Sequence, residues 1–457
     1  MPQQENSPLI LGTERIGKLL KNYAIPGIIA MTASSLYNIA DSIFIGQGVG
    51  PLAISGLALT FPFMNLAAAF GTLVGVGAST VVSVKLGQKD YEGANKALGN
   101  VVVLNLIIGL CFTFASLSFL DPILRFFGAG DATLPYAHSY MKVILFGNAV
   151  THMYFGLNAV MRSSGHPRKA MYATLLSVFI NIILNPLFIF GLGWGIKGSA
   201  LATVISQCIS LGWLLFHFSN PKELLHFKKG IYTLKAEYAK PILAIGLSPF
   251  LMNLCACLVV LLINRGLKEY GGDLAIGAYG LVNRIIFLFL MVVMGLNQGM
   301  QPIAGYNFGA LHYHRVTEVT KLTIVWATGV CTLGYIVCNL FPTHIIHAFT
   351  RDAELTSAAV YGMHIAFGVF PTVGFQMVSS NFFMSIGMPK QAILLSLTRQ
   401  LLFLIPGLLI LPSLLGIAGV WLSLPVSDSA AFLLALFLFI RQIRKFKKAE
   451  AAQGQKP

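Results

Sequence analysis

The chain has 457 residues, of which 56% are hydrophobic and only 10% charged, against roughly 25% charged in a soluble domain. A mean hydropathy of +0.75 exceeds what one water-soluble core can bury, and it excludes disorder, collagen-like repeats and a disulfide scaffold. The net charge of +15 sits in short gaps between apolar runs, the pattern of loops beside a membrane and not of a nucleic-acid-binding face.

The expected class is an all-α integral membrane protein. The first eighteen residues are polar and carry no cleavable signal pattern, so the first hydrophobic span is expected to be retained. A bilayer-spanning helix needs about 20 mostly apolar residues. Twelve such segments follow, at 22–47, 53–84, 98–120, 139–161, 171–192, 198–218, 242–266, 275–304, 320–341, 360–386, 392–411 and 416–440. The six cysteines lie inside apolar runs without a CxxC or Cys/His cluster, so they read as small buried hydrophobes and no metal or redox site is expected.

Of the 31 Lys and Arg residues, 23 fall on the side of the membrane that holds both termini and six on the other. The positive-inside rule then places both termini, and the long segment 219–241, in the cytoplasm.

The second half echoes the first at an offset near 222. Pro26 matches Pro249, Leu52-Ala53-Ile54 matches Leu274-Ala275-Ile276, and Gly77 and Gly87 match Gly299 and Gly309. SSGHPRKA (163–170) matches SIGMPKQA (385–392), and GIKG (195–198) matches GIAG (416–419). Each repeat holds six spans, so the halves share one orientation. The expected architecture is twelve transmembrane helices in two pseudo-symmetric six-helix lobes, 1–218 and 242–457, around a central cavity, with 219–241 as the interlobe loop. That design points to transport.

Charge inside hydrocarbon is costly, about 2.5–3.5 kcal/mol on insertion scales. Among acids, only Asp41 and Asp428 fall within spans, and among bases only Arg284 and Arg399. Ser34, Tyr37, Asn38 and Asp41 share one helical face by their i, i+3, i+4, i+7 spacing, and Pro26 lies on the same helix. No basic residue in the first lobe's spans neutralises Asp41, so it reads either as a proton or sodium site or as a structural acid bonded to nearby hydroxyls. Span five carries Ser177, Asn181 and Asn185 at i, i+4, i+8; span six carries Ser199, Thr203 and Gln207 likewise. These stripes suit a small hard cation beside one carboxylate, and equally suit hydrogen bonding between packed helices. Arg284, Arg399 and Asp428 read as a structural or coupling charge pair, with Arg399–Asp428 the expected match. Met291, Met294, Gln298 and Gln301 in span eight, with Gln207 and Gln376, are candidates for an adaptable substrate cavity. The Gly71/Gly75 and Gly295/Gly299 pairs read as close helix approaches. No GxxxxGK[ST] or HExxH occurs, so no P-loop ATPase or zincin chemistry is expected.

The segments YNIADSIFIGQ (37–47), RSSGHPRKA (162–170), NIILNPLFIFG (181–191) and above all NQGMQPIAGYNFGA (297–310) resemble the bacterial members of the multidrug and toxic compound extrusion family. The resemblance covers essentially the whole chain. It implies secondary active efflux of small-molecule drugs or organic cations against inward H+ or Na+, by alternating access, without enzymatic activity or a cofactor. It further implies a monomer in the cell inner membrane. By the same resemblance Asp41 is the family's first-span carboxylate, with Tyr37, Asn181 and Thr203 its neighbours. Related members usually carry Asp where this chain has Asn185. Spans seven and ten offer Asn253, Asn264, Gln376 and Asn381 where some branches carry an acidic pair. A flippase for lipid-linked oligosaccharide is the alternative; it calls for a strongly cationic cavity, and only Arg284 and Arg399 are available for one.

Overall fold

The computed structural model describes residues 10–454; Lys456 of the basic tail and the polar residues before Ile10 lie outside that range. No strand occurs among the described residues, as expected of backbone that must satisfy its own hydrogen bonds in lipid. The first six spans are α1 (Ile16–Gly48), α2 (Pro51–Gly87), α3 (Tyr91–Ser118), α4 (Leu134–Phe146 with Asn148–Ser163), α5 (Pro167–Gly191) and α6 (Gly195–Phe218). The next element, Ala236–Gly309, runs helical for 74 residues. At about 1.5 Å per residue that is roughly 110 Å, far beyond one crossing of about 30 Å. Gly272 breaks it with φ 68° and ψ −167°, so it forms two spans, α7 before Gly272 and α8 after it. The remaining spans are α9 (Tyr313–Leu340), α10 (Ala353–Phe367 with Phe370–Ser385), α11 (Pro389–Leu415) and α12 (Ile417–Gly454). The twelve crossings thus stand, with two of them bent.

Those bends repeat the internal duplication. α4 turns by 54° between Phe146 and Asn148, and α10 by 52° between Phe367 and Phe370. Short helices at Leu120–Phe126 and Pro342–His347 precede them at the same offset. The helix starts are chemically marked. Asp90 caps α3 by accepting from the Gly93 amide at 2.8 Å, and Asp352 caps α10 by accepting from Leu355 at 2.7 Å. Pro51, Pro167 and Pro389 occupy first-turn positions where no amide donor is needed. Phe114, Phe126 and Phe216 lie 77–82% exposed, a liability in water but the natural surface against lipid tails.

The chain divides into two compact units. One is built on Ile29–Phe250; the other joins Glu14–Ile28 to the residues from Leu251 onward. α1 therefore changes unit two residues after Pro26, and α7 changes unit just after Pro249. Within the first unit, α7 presses onto α2 so closely that a Cβ on Gly246 would lie 1.7 Å from the Leu73 carbonyl oxygen, and one on Gly77 would lie 1.9 Å from that of Ile242. Within the second, the start of α1 presses onto α8: a Cβ on Gly299 would meet the Ala24 nitrogen at 2.6 Å, and one on Gly295 the Ile28 Cα at 2.6 Å. The two contacts correspond, with Gly77 and Leu73 on α2 matching Gly299 and Gly295 on α8 and the partners on α7 and α1 displaced by about one helical turn, and small residues make both possible.

The segment between α6 and α7 is clamped to α3 by two buried amides. Asn95 accepts from the His226 amide at 3.0 Å and donates to Leu224 O at 3.2 Å. Asn100 accepts from Lys235 N at 3.0 Å and donates to Thr233 O at 3.3 Å.

Candidate functional site

Asp41 lies on α1 in the first unit and is 6% exposed. Two neighbours reach it. Asn185 on α5 donates its amide to Asp41 Oδ1 at 2.5 Å, and the Ser199 hydroxyl on α6 donates to the same oxygen. The network continues outward. Asn185 donates also to Asn181 Oδ1 at 3.3 Å, Asn181 donates to Thr203 Oγ1 at 3.1 Å, and Thr203 pairs with the Tyr37 hydroxyl at 3.1 Å. The i, i+4 spacing of Asn181 and Asn185 on α5, and of Ser199 and Thr203 on α6, is what lines up these groups on facing helices.

The local backbone explains why Asn185 stands where it does. Pro186 follows it and removes one amide donor, and a π-helical turn over Leu187–Gly191 closes α5. Such turns rotate the residues next to them relative to a regular helix. Ser199 sits at the start of the second turn of α6, after Gly193 and Gly195, whose φ values of 65° and 57° make the sharp return possible.

Electrostatically the site is an uncompensated carboxylate. Among the described residues no ion pair includes Asp41. Two neutral donors satisfy one oxygen, and burial penalises the negative charge. Asn185 Oδ1 is buried and has no partner, so an acceptor oxygen stands next to the acid without a donor. The oxygens here belong to Asp41, Asn181, Asn185, Ser199, Thr203 and Tyr37, a set that can hold a proton on the carboxyl group or a hard monovalent cation. Tyr140, buried in the adjoining apolar cluster, lies within electrostatic reach of Asp41 and Tyr37.

The remaining candidates distribute unevenly. Asn38 is exposed and its amide turns back to the Ser34 carbonyl at 2.9 Å, away from the acid. Gln207 accepts from Thr151 at 2.5 Å in the first unit. Met291, Met294 and Gln298 are half-buried on α8, Gln301 is buried on the same helix, and Gln376 is buried on α10, all in the second unit. Arg399 on α11 donates Nε to Asp428 Oδ1 on α12 at 2.6 Å, whereas Arg284 is exposed. Ser199 is the member that the spacing placed in a stripe but did not single out. Its signal was the shared period with Thr203.

A helical protein of twelve membrane crossings, made of two like units and holding a buried acid without a counter-charge in one of them, has the make-up of a secondary transporter. A family model described as MatE matches residues 26–187 and 244–409, and the chain belongs to that family, the multidrug and toxic compound extrusion transporters. It is 29% identical over 430 residues to the multidrug export protein MepA of Staphylococcus haemolyticus, covering 93% of both chains. It is 28% identical over 421 residues to MepA of Staphylococcus aureus, covering 92% of this chain and 93% of the relative. Among solved structures, MATE in the bent conformation superimposes with a TM-score of 0.92 over 97% of this chain and 99% of that one, at 24% identity. An outward-facing multidrug resistance MATE transporter gives 0.90 over 96% and 98%, also at 24% identity. These two establish the likeness of fold.

Proposed function

We propose that this chain exports amphipathic and cationic small molecules from the cell in exchange for inward H+ or Na+, with Asp41 as the coupling acid. The observation that carries the proposal is the buried Asp41 carboxylate, held by Asn185 and Ser199 with no cationic partner. A charge so placed is expensive unless a proton or cation joins it. Binding of either would neutralise the site and loosen the hold of the two donors. Pro26, which leaves the Asn22 carbonyl without its usual helical donor, lies where α1 passes from one unit to the other, and gives the helix a place to bend when the acid is neutralised. Neutral and charged forms of Asp41 would thereby favour different shapes of α1, which is the differential interaction that an alternating-access cycle requires. The membrane is the cell membrane, with both termini inside, and the working unit is a single chain.

The test is transport in liposomes by the purified protein and by Asp41→Asn. A fluorescent organic cation would be followed under an imposed proton gradient, then under an imposed sodium gradient. One gradient is expected to drive uptake at least about tenfold above the variant, as removal of a group essential to coupling implies. Equal gradient-driven transport by Asp41→Asn would remove Asp41 from the mechanism.

A further inference from the structure

A second polar cluster, separate from the Asp41 network, lies at the end of the first unit where α5 begins and α6 ends. His166 stands at the N-cap of α5 and is 8% exposed; His217 lies in the last turn of α6. Their rings meet edge to face with centroids 4.9 Å apart. Glu223, in the segment that follows α6, places one carboxylate oxygen against each ring. Oε2 is 3.4 Å from His166 Nε2, and Oε1 is 3.5 Å from His217 Nδ1. Glu223 is not on a loose loop, because the Asn95 clamp fixes Leu224 and His226, and Phe227 donates back to Phe218 O at 2.7 Å.

Ser164 donates to Met161 O at 2.9 Å and lies 3.4 Å from His166 Nδ1, a geometry in which Nδ1 can donate to the hydroxyl and leave Nε2 as a lone pair. Lys169 Nζ, which can only donate, lies 3.3 Å from His217 Nδ1 and 3.1 Å from Glu223 Oε1, so that Nδ1 is also a lone pair. Two imidazole lone pairs and a carboxylate thus converge. In that tautomer His166 Nε2 and Glu223 Oε2, 3.4 Å apart, face each other as two acceptors that a cation between them would satisfy.

We propose that His166, His217 and Glu223 form a binding site for a zinc-class divalent cation, and that the Lys169 ammonium stands in for the metal when none is bound. Zinc bonds of about 2.0–2.2 Å in tetrahedral geometry separate neighbouring ligands by about 3.4 Å. Each histidine nitrogen lies at about that distance from one Glu223 oxygen, His166 Nε2 from Oε2 at 3.4 Å and His217 Nδ1 from Oε1 at 3.5 Å, so a small turn of the carboxylate brings one oxygen toward both. The three ligand atoms all lie within 4.8 Å of one another, so the His–His edge closes by ring rotation. Two imidazoles with one carboxylate favour zinc, cobalt or nickel over the oxygen-seeking sodium, magnesium and calcium. Ser164 supplies the outer hydrogen bond that metal-bound histidines use for orientation. Lys169 keeps 37% of its side-chain surface exposed and can swing into water to admit the ion. Bound metal would tie the start of α5, the end of α6 and the connecting segment into one piece. The three residues are 51 and 6 positions apart in sequence, which is why spacing gave no sign of them.

The test uses the full-length protein in detergent, stripped with a chelator, and measures zinc affinity by competition with a chromophoric chelator and cobalt binding by its visible absorption. One tight equivalent is expected. His217→Gln and Glu223→Gln should each weaken it on the order of tenfold or more. Lys169→Met, at a half-exposed position that tolerates the change, should tighten it, because the competing ammonium is gone. Wild-type affinity in both ligand variants, or unchanged or weaker binding in Lys169→Met, would overturn the proposal. Size-exclusion profiles without metal confirm that each variant is folded, and the readout does not depend on transport.

Discussion

The two intramembrane aspartates keep opposite company. Asp428 has a guanidinium at 2.6 Å; Asp41 has only neutral donors. A buried pair costs little net when intact and much when one member is removed, because the survivor is left as an unpaired charge. Arg399→Met should therefore cost about 3 kcal/mol, the low end of what breaking buried pairs costs, since Arg399 keeps 26% of its side-chain surface exposed. The double variant Arg399→Met/Asp428→Leu should recover more than half of that loss in melting temperature in detergent. If Arg399→Met melts like the parent, the pair is not a stabilising one. This pairing was readable from the sequence because the two charges are the only opposite pair on adjacent spans. The Asp41 network was readable in part. Helical period aligned Asn181 with Asn185, and Ser199 with Thr203, but period alone cannot say which stripe meets which acid. Asn38 shares the period of Asp41 and still turns to its own helix, since its amide can satisfy itself on the Ser34 carbonyl.

At the scale of elements, hydropathy locates apolar length and is blind to direction. It therefore found the twelve crossings and missed the 54° and 52° bends in α4 and α10. It also missed how tightly particular glycines are pressed, which depends on a partner helix far along the chain. Gly246 and Gly212 make the contrast testable, since both are helical glycines. A Cβ at Gly246 would sit 1.7 Å from the Leu73 carbonyl oxygen, whereas at Gly212 nothing lies within 4 Å. Gly246→Ala must push α7 off α2 and should cost about 1–3 kcal/mol, the range for overpacking. Gly212→Ala should be neutral or gain up to about 1 kcal/mol from helix propensity. Thermal melts of the two variants side by side check this, and equal melting of both would mean that α2 and α7 do not pack so closely.

For the whole molecule the duplication has the largest consequence. The bends and the short helices that precede them recur at the offset that the sequence repeat displays, so each half was built by the same rules. What the linear repeat could not display is the exchange of α1 and α7 between units, because a contact boundary inside a continuous helix leaves no trace in hydropathy. Orientation still rests on charge. Lys and Arg crowd the side that carries the segment between α6 and α7, and cytoplasmic placement of such loops follows from the membrane potential and the insertion machinery. In a cysteine-free background, Lys229→Cys and Asp131→Cys report the two sides, since both positions are exposed. A membrane-impermeant maleimide should label Asp131→Cys in intact cells and reach Lys229→Cys only after permeabilisation. Labelling in the reverse order would place the termini outside. It would also put His166, His217 and Glu223 in contact with the external medium, where metal availability is set by the surroundings and not by the cell.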